Sequence, residues 1–361
     1  MVPTWLPAPL HPFQSVAYAG LHPGPRLVVT AAVHGNETCG TRAIRRVMAE
    51  LDTGALTLVR GAVTFVPVCN PLAFHHHRRV GDRNLNRALA PTTDPREYED
   101  HVANWLCPLL AAHDGLLDLH SFQSAGQPFV MVGPRDNRGD LEPFGQAAQE
   151  EALVRVLGVQ RAVDGWLTTY AHGVARRLAK AQAAALVGTA TTVADLAAAN
   201  PAAAGAPAPL DLHPRYGVGT TEYMRAQGGW ALTLECGQHD DPQSPEVAYR
   251  AIRNTLAQTG LIDDPAPRPA PLIEALSIHE VIDKQHAGDH FARDWQSFDA
   301  VRAGTLIGTR ASGEAVHAPG DGWLLFPNAR AEARHEWFYL ARANPRFEPE
   351  PAVAAPPRAA P

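Results

Sequence analysis

The chain has 361 residues, too many for one minimal core and enough for a large catalytic domain with a small appendage. Hydrophobic residues make up 45% and charged residues 19%, a globular rather than a disordered or fibrous composition. Acidic side chains outnumber basic ones 37 to 31, and the net charge of −6 argues against non-specific nucleic-acid binding as the main activity.

Only Lys180 and Lys284 among the cations are lysines, so a lone arginine in this background carries little functional information. Cys39, Cys69, Cys107 and Cys236 are scattered without a CxxC pair, which gives neither a disulfide framework nor a thiolate metal site and suits a reducing compartment. The opening MVPTWLPAPLHPF has no basic segment followed by an apolar run, and no stretch has the ~18 uninterrupted apolar residues of a membrane span. The expectation is a cytoplasmic protein with no membrane and no nucleic-acid partner; a homo-oligomer stays open.

In chain order, Leu27 to Val33 reads as a buried strand and Thr38 to Leu51 as an amphipathic helix. Val63 to Val68 is a strand ending at the turn Asn70-Pro71, and Tyr98 to Ala112 a helix. Strands follow at Gly115 to Leu119, Pro128 to Val132 and Ala231 to Leu234, then a patterned helix over Pro245 to Thr259. The Ala-rich stretch at about 140–210 reads as a helical insertion. Residues 1–264 form the expected catalytic domain, and 265–271 a Pro-rich linker. Residues 272–344, with runs at Ser277 to Ile282, Thr305 to Gly308 and Trp323 to Pro327, form a small β-rich domain, and 345–361 a disordered tail. The fold class is α/β, a mixed, largely parallel sheet flanked by helices, with the small β-rich domain at its C-terminal end.

Three of these strands end in polar clusters, where open α/β sheets place ligand sites. The first runs into His34-Gly35-Asn36-Glu37, an imidazole and a carboxylate three residues apart. With 17 histidines and 17 glutamates, chance predicts about 0.8 such pairs, so a capped helix start with solvated polar residues is an equal alternative. The third strand gives Asp118-Leu119-His120-Ser121, whose histidine taken alone is more often structural. The last gives Leu234-Glu235-Cys236-Gly237, whose glutamate is either a salt-bridged strand end or an acid/base group. Jointly, two histidines and one carboxylate make a His₂Glu set that leaves a fourth zinc position open, and a further glutamate supplies a proton shuttle. Between them lies Arg78 to Arg87, whose arginine forks could bind a carboxylate or form a solvated basic turn.

HGNE, RxxxxxLNR, DLHS and TLECG, in this order and spacing, resemble the succinylglutamate desuccinylase/aspartoacylase family, relatives of the zinc carboxypeptidases, over about Arg26 to Gly237. The tail from Leu234 to Asn254 looks like the predicted-deacylase branch. The resemblance implies one zinc per chain on His34, Glu37 and His120. It implies Glu235 as the base that activates the zinc-bound water and protonates the leaving nitrogen. Arg79 would stabilise the oxyanion, and Asn86 with Arg87 would grip the substrate carboxylate. The activity implied is deacylation: hydrolysis of a linear amide in a small carboxylate-bearing substrate. The alternatives are a carboxypeptidase or cell-wall peptide amidase of the same fold, or a non-catalytic metal- or ligand-binding module.

The sequence departs from the family at Asn84, where an aspartate usually orients the first zinc histidine; Asp82 or Asp118 could compensate. No counterpart stands out for the substrate-specifying arginine, and Tyr339 reads as a core aromatic more than as a catalytic-side tyrosine. His75-His76-His77 reads as a wet loop, because consecutive positions do not converge on one ion, and Gln238 to Asp241 either lines the pocket or caps the next helix.

Overall fold

A computed structural model describes residues 12–348 apart from 136, 139–142, 187–214, 271 and 334. Its strands are β1 (Val16–Ala19), β2 (His22–Ala31), β3 (Arg60–Val66), β4 (Gly115–Phe122), β5 (Phe129–Met131), β6 (Arg161–Asp164) and β7 (Trp230–Gln238). The later ones are β8 (Glu274–Asp283), β9 (His290–Phe291), β10 (Asp299–Val301), β11 (Leu306–Thr309), β12 (Ala315–His317), β13 (Gly322–Leu325) and β14 (Glu336–Ala343). The helices are α1 (Cys39–Asp52), α2 (Pro71–His75), α3 (Tyr98–Ala111), α4 (Ala147–Val156), α5 (Trp166–Leu186), α6 (Thr220–Ala226) and α7 (Ser244–Gln258).

Eleven strands form one sheet in the order β1-β3-β2-β4-β7-β5-β6-β8-β14-β13-β10, and β12-β11-β9 form a small second sheet. From β3 to β8 the pairs are parallel except β7 with β5, which gives the mixed, largely parallel sheet expected. Beyond β8 every pair is antiparallel. The C-terminal region is therefore β-rich, as expected, and it joins the main sheet edge to edge, β8 pairing in parallel with β6.

Strands at the centre are apolar because helices cover both faces: every residue of β4 is buried. Leu117, Leu119 and Leu232 pack with Ile44 and Val47 of α1 and Ala251 and Ile252 of α7. Val28, Leu116 and Ala231 pack on the other face with Val102, Leu106 and Leu110 of α3. Thr30 and Asp118, register partners on β2 and β4, are buried polar exceptions that hydrogen-bond each other at 2.6 Å.

Two expectations need correction. The stretch at 140–210 is more than a helical insertion: its described part carries α4, the start of α5 and the sheet strand β6, while 187–210 lie outside the described residues. The four residues RAVD are too short and too polar at their ends to announce a strand. The expected disordered tail begins in order, since Pro345–Phe347 form a 3₁₀ turn with Phe347 in the main core; residues from 349 on are outside the described set. Asn344 caps that turn, its Oδ1 accepting from the Arg346 backbone N–H.

Candidate metal centre and active-site cavity

The turn after β2 places the first polar cluster. Gly35 packs so closely on α2 that a Cβ there would lie 2.0 Å from the Ala73 carbonyl carbon, so only glycine lets this turn seat. The Glu37 backbone N–H donates to the His34 carbonyl at 3.1 Å, which brings both side chains to one side. His120 on β4 and Glu235 on β7 are register partners across a parallel pair and so project from the same face. His34, Glu37 and His120 offer ligand atoms all within 4.8 Å of one another, and all three are buried.

The hydrogen bonds fix which ring nitrogens face inward. Asn84 Oδ1 accepts from the Asn86 backbone N–H at 3.0 Å, so this atom is the amide oxygen and an acceptor. His34 Nε2 lies 3.1 Å from the same oxygen and must carry the proton. That leaves a bare lone pair on His34 Nδ1, 2.9 Å from Glu37 Oε1 and without a hydrogen bond. Burial lowers the His34 pKa to about 4, so the ring stays neutral. Two lone pairs facing each other at this distance repel unless a cation lies between them.

His120 resolves the same problem with a proton. Its Nδ1 lies 2.9 Å from Glu37 Oε2 and its Nε2 2.9 Å from Asp118 Oδ2. Burial opposes charge on this ring, but Asp118 and Glu37 outweigh it and hold its pKa well above the usual imidazole range. Burial also works to raise the Glu37 carboxyl, and the two imidazoles override it, holding it well below its usual value. Arg79 Nη1 donates to Glu37 Oε1 at 2.8 Å, and the Ser121 backbone N–H to Oε2 at 3.1 Å. A proton and a guanidinium thus stand where a divalent ion would neutralise the carboxylate. Two imidazole nitrogens and one carboxylate oxygen fit such an ion by donor chemistry.

Neither acid suggested as a substitute for the missing aspartate serves His34. Asp82 Oδ2 accepts from the Tyr98 backbone N–H, and Asp118 orients His120 with help from Thr30 and Thr220. Asn84 alone orients the first histidine, without charge.

Glu235 shares the cavity, its Oε2 buried without a partner. Burial pushes its carboxyl up to about 8. The arginine loop is held by Glu99, fully buried on α3, which accepts from the backbone N–H groups of Gly81, Asp82 and Arg83 and from Asn70 Nδ2. Asn86 Oδ1 accepts from the Thr220 N–H, which turns its amide NH₂ away from that contact. Arg87 is buried, donates to the Asn86 carbonyl and Tyr170 Oη, and pairs with Glu336 at 3.4 Å. Burial works to raise the Glu336 carboxyl, but Arg87 brings it down to about 2.

The residues His34, Arg79, Asn86, Arg87, His120 and Glu235 all line one cavity of about 200 Å³. Glu37 is buried in contact with two of these lining residues, His34 and His120. Tyr339, read from sequence as a core aromatic, is buried but also lines this cavity, its Oη 2.6 Å from Tyr170 Oη. The sequence did not single out Glu336, Tyr170 or Glu99. The sequence separation of three between Glu336 and Tyr339 hides their shared face, because a bulge shifts the β14–β8 register between Glu336 and Phe338. His239 lines the cavity too, its Nδ1 2.9 Å from Ser121 Oγ. His75 ends α2, and His76 and His77 are exposed, as a wet loop would have them.

Residues 23–162 match the model of the Succinylglutamate desuccinylase/Aspartoacylase catalytic domain. These residues carry that family's catalytic-domain pattern. The domain so described is that of deacylase-type hydrolases, which supports an enzyme. A succinylglutamate desuccinylase/aspartoacylase from Rhodobacter sphaeroides superposes with a TM-score of 0.63 at 16% identity, over 91% of this chain and 88% of that one. The product-bound ectoine utilization protein EutE (DoeB) from Ruegeria pomeroyi gives 0.61 at 17% identity, over 91% and 88%. A succinylglutamate desuccinylase from Vibrio parahaemolyticus gives 0.63 at 14% identity, over 91% and 86%. At such identities these likenesses carry the fold. No curated protein matches the chain, and among the described residues no helix is long and apolar enough to cross a membrane.

Proposed function

We propose that this chain, whose residues 23–162 match the succinylglutamate desuccinylase/aspartoacylase catalytic domain, is a zinc-dependent deacylase that hydrolyses the amide bond of a small N-acyl amino acid or related acylated amine. One observation carries the reading: the unprotonated Nδ1 of His34 and the Glu37 carboxylate face each other at 2.9 Å, with His120 Nδ1 on the other carboxylate oxygen. His34, Glu37 and His120 would hold the ion. Zinc bound there supplies a Lewis acid that polarises a carbonyl and makes water acidic near neutral pH.

The chain's own groups do the rest. Glu235 takes a proton from the attacking water and delivers it to the leaving nitrogen; positive charge at the triad favours its ionised form, so it works as a base near pH 7. Arg79, half exposed and free to swing from Glu37, donates to the carbonyl oxygen as negative charge builds there, a contribution of about 3 kcal/mol for one such donor. Asn86 and Arg87 hold the substrate carboxylate and fix the amide in register. The cavity volume favours a small substrate over a peptide or cell-wall strand.

The test is hydrolysis of N-acyl amino acids by zinc-loaded and chelator-stripped protein, with Glu235→Gln alongside. Zinc-dependent turnover is expected, falling by about 10²–10⁴ in the variant while zinc is retained. Undiminished turnover in Glu235→Gln would remove the assigned proton transfer, and no zinc-dependent hydrolysis of any amide would leave a binding module as the better reading.

A further inference from the structure

The cavity has a charge inventory that narrows its ligand. Among the described residues the only arginines or lysines lining it are Arg79 and Arg87. Arg79 sits at Glu37, beside the triad. Arg87 is tied to Glu336, which stays ionised, and its Nε is buried without a hydrogen-bond partner. The ion pair is neutral as a unit, with one donor left over.

Next to Arg87, whose guanidinium lies 5.5 Å from the centre of the Trp166 ring, the lining turns apolar. Phe122, Met131, Trp166 and Phe326 face the same cavity as Tyr339. Their rings interlock: Trp166 stacks on Tyr339 at 5.3 Å between centroids, and Phe326 lies edge-on to Phe122 at 6.0 Å. Beside them stand Gln123 and Ser124, which are polar but uncharged. The segment 187–214, outside the described residues, contains no arginine or lysine, and the other cations whose side chains are undescribed are Lys180, Arg334 and Arg358.

We infer that the ligand is a monoanion: an N-acyl amino acid whose single carboxylate is taken by Asn86 and the free Nε–H of Arg87, and whose acyl group and side chain are both uncharged, one of them lying on the Phe122–Met131–Trp166–Phe326 wall. A second carboxylate would leave water for a surface whose one neighbouring cation, Arg87, is already engaged by Glu336 and the first carboxylate. An apolar group gains by the same transfer. This rests on the deacylase reading for the choice of an N-acyl amino acid, and it narrows that reading to a class without the second carboxylate of a succinyl or aspartyl group.

The experiment is isothermal titration of zinc-loaded Glu235→Gln protein with N-acetylleucine, N-acetylaspartate and N-succinylleucine. N-Acetylleucine is expected to bind at least tenfold more tightly than either dianion. Gln123→Arg, at an exposed position of the lining, and Met131→Arg, each added to that protein, are expected to shrink this ratio at least tenfold by supplying the missing cation. A dianion that binds as well as N-acetylleucine overturns the inference, as does failure of N-acetylleucine to bind. A dianion preference abolished by Arg334→Ala also overturns it and locates the cation at Arg334. Turnover is read separately on the wild type: N-acetylleucine that binds tightly but is never hydrolysed contradicts the deacylase reading and leaves the ligand class standing.

Discussion

Asn84 is where single-residue chemistry departs most from the family pattern that the sequence resembles. Its amide oxygen accepts from His34 Nε2 and from the Asn86 backbone at once, so geometry is kept and charge is lost. An anionic acceptor would make the imidazole a more basic ligand. Asn84→Asp is expected to tighten zinc binding by about tenfold and Asn84→Ala to weaken it by about 10–100-fold, both measured by chelator competition. Equal affinities in all three proteins would separate His34 from the ion. His120 sets the pH dependence. Its pKa is raised in the metal-free protein, so the ring is protonated at neutral pH, and its ion pairs contribute stability that is lost as pH rises through that raised value. An ion must displace this proton, so affinity should climb with pH, with about one proton released per zinc near pH 7. Calorimetry in buffers of different ionisation enthalpy measures that number; zero release would contradict the imidazolium.

At the scale of elements, the site depends on connections that sequence patterning does not encode. The strands that carry His34, His120 and Glu235 were legible because their apolar runs are buried on both faces and end in polar residues at the same edge of the sheet. The arginine loop was legible only as a motif. What shapes it is Glu99, which lies within a helix that reads as ordinary and is buried there against three backbone N–H groups. Removing the carboxylate leaves the buried Asn70 amide and three part-buried backbone N–H groups unpaired, at about 1–3 kcal/mol for each donor that water does not reach. Glu99→Ala is therefore expected to destabilise the protein by about 3–5 kcal/mol in denaturant melts and to weaken zinc binding through Asn84. Wild-type stability in this variant would mean that the loop is held some other way. Glu336 and Tyr170 escaped notice for another reason: each meets Arg87 only because β14 and α5, far apart along the chain, close over the same arginine.

Across the whole molecule, the Pro-rich segment at 265–271 looks in sequence like a linker between two domains, yet β8 continues the sheet through β6. Sequence shows where composition changes; it does not show which sheet edge the next strand will choose. Because Glu336 and Tyr339 reach the cavity from β14, the C-terminal region contributes to the site as well as to the fold. A metal at His34, Glu37 and His120 would draw its ligands from the turn after β2 and from β4, and would leave Glu235 of β7 free for proton transfer. The most direct test is X-ray absorption at the zinc edge on protein loaded with one equivalent. The account predicts two imidazole ligands, reduced to one in His120→Ala. Failure to take up zinc, or an unchanged two-imidazole spectrum in that variant, would contradict it.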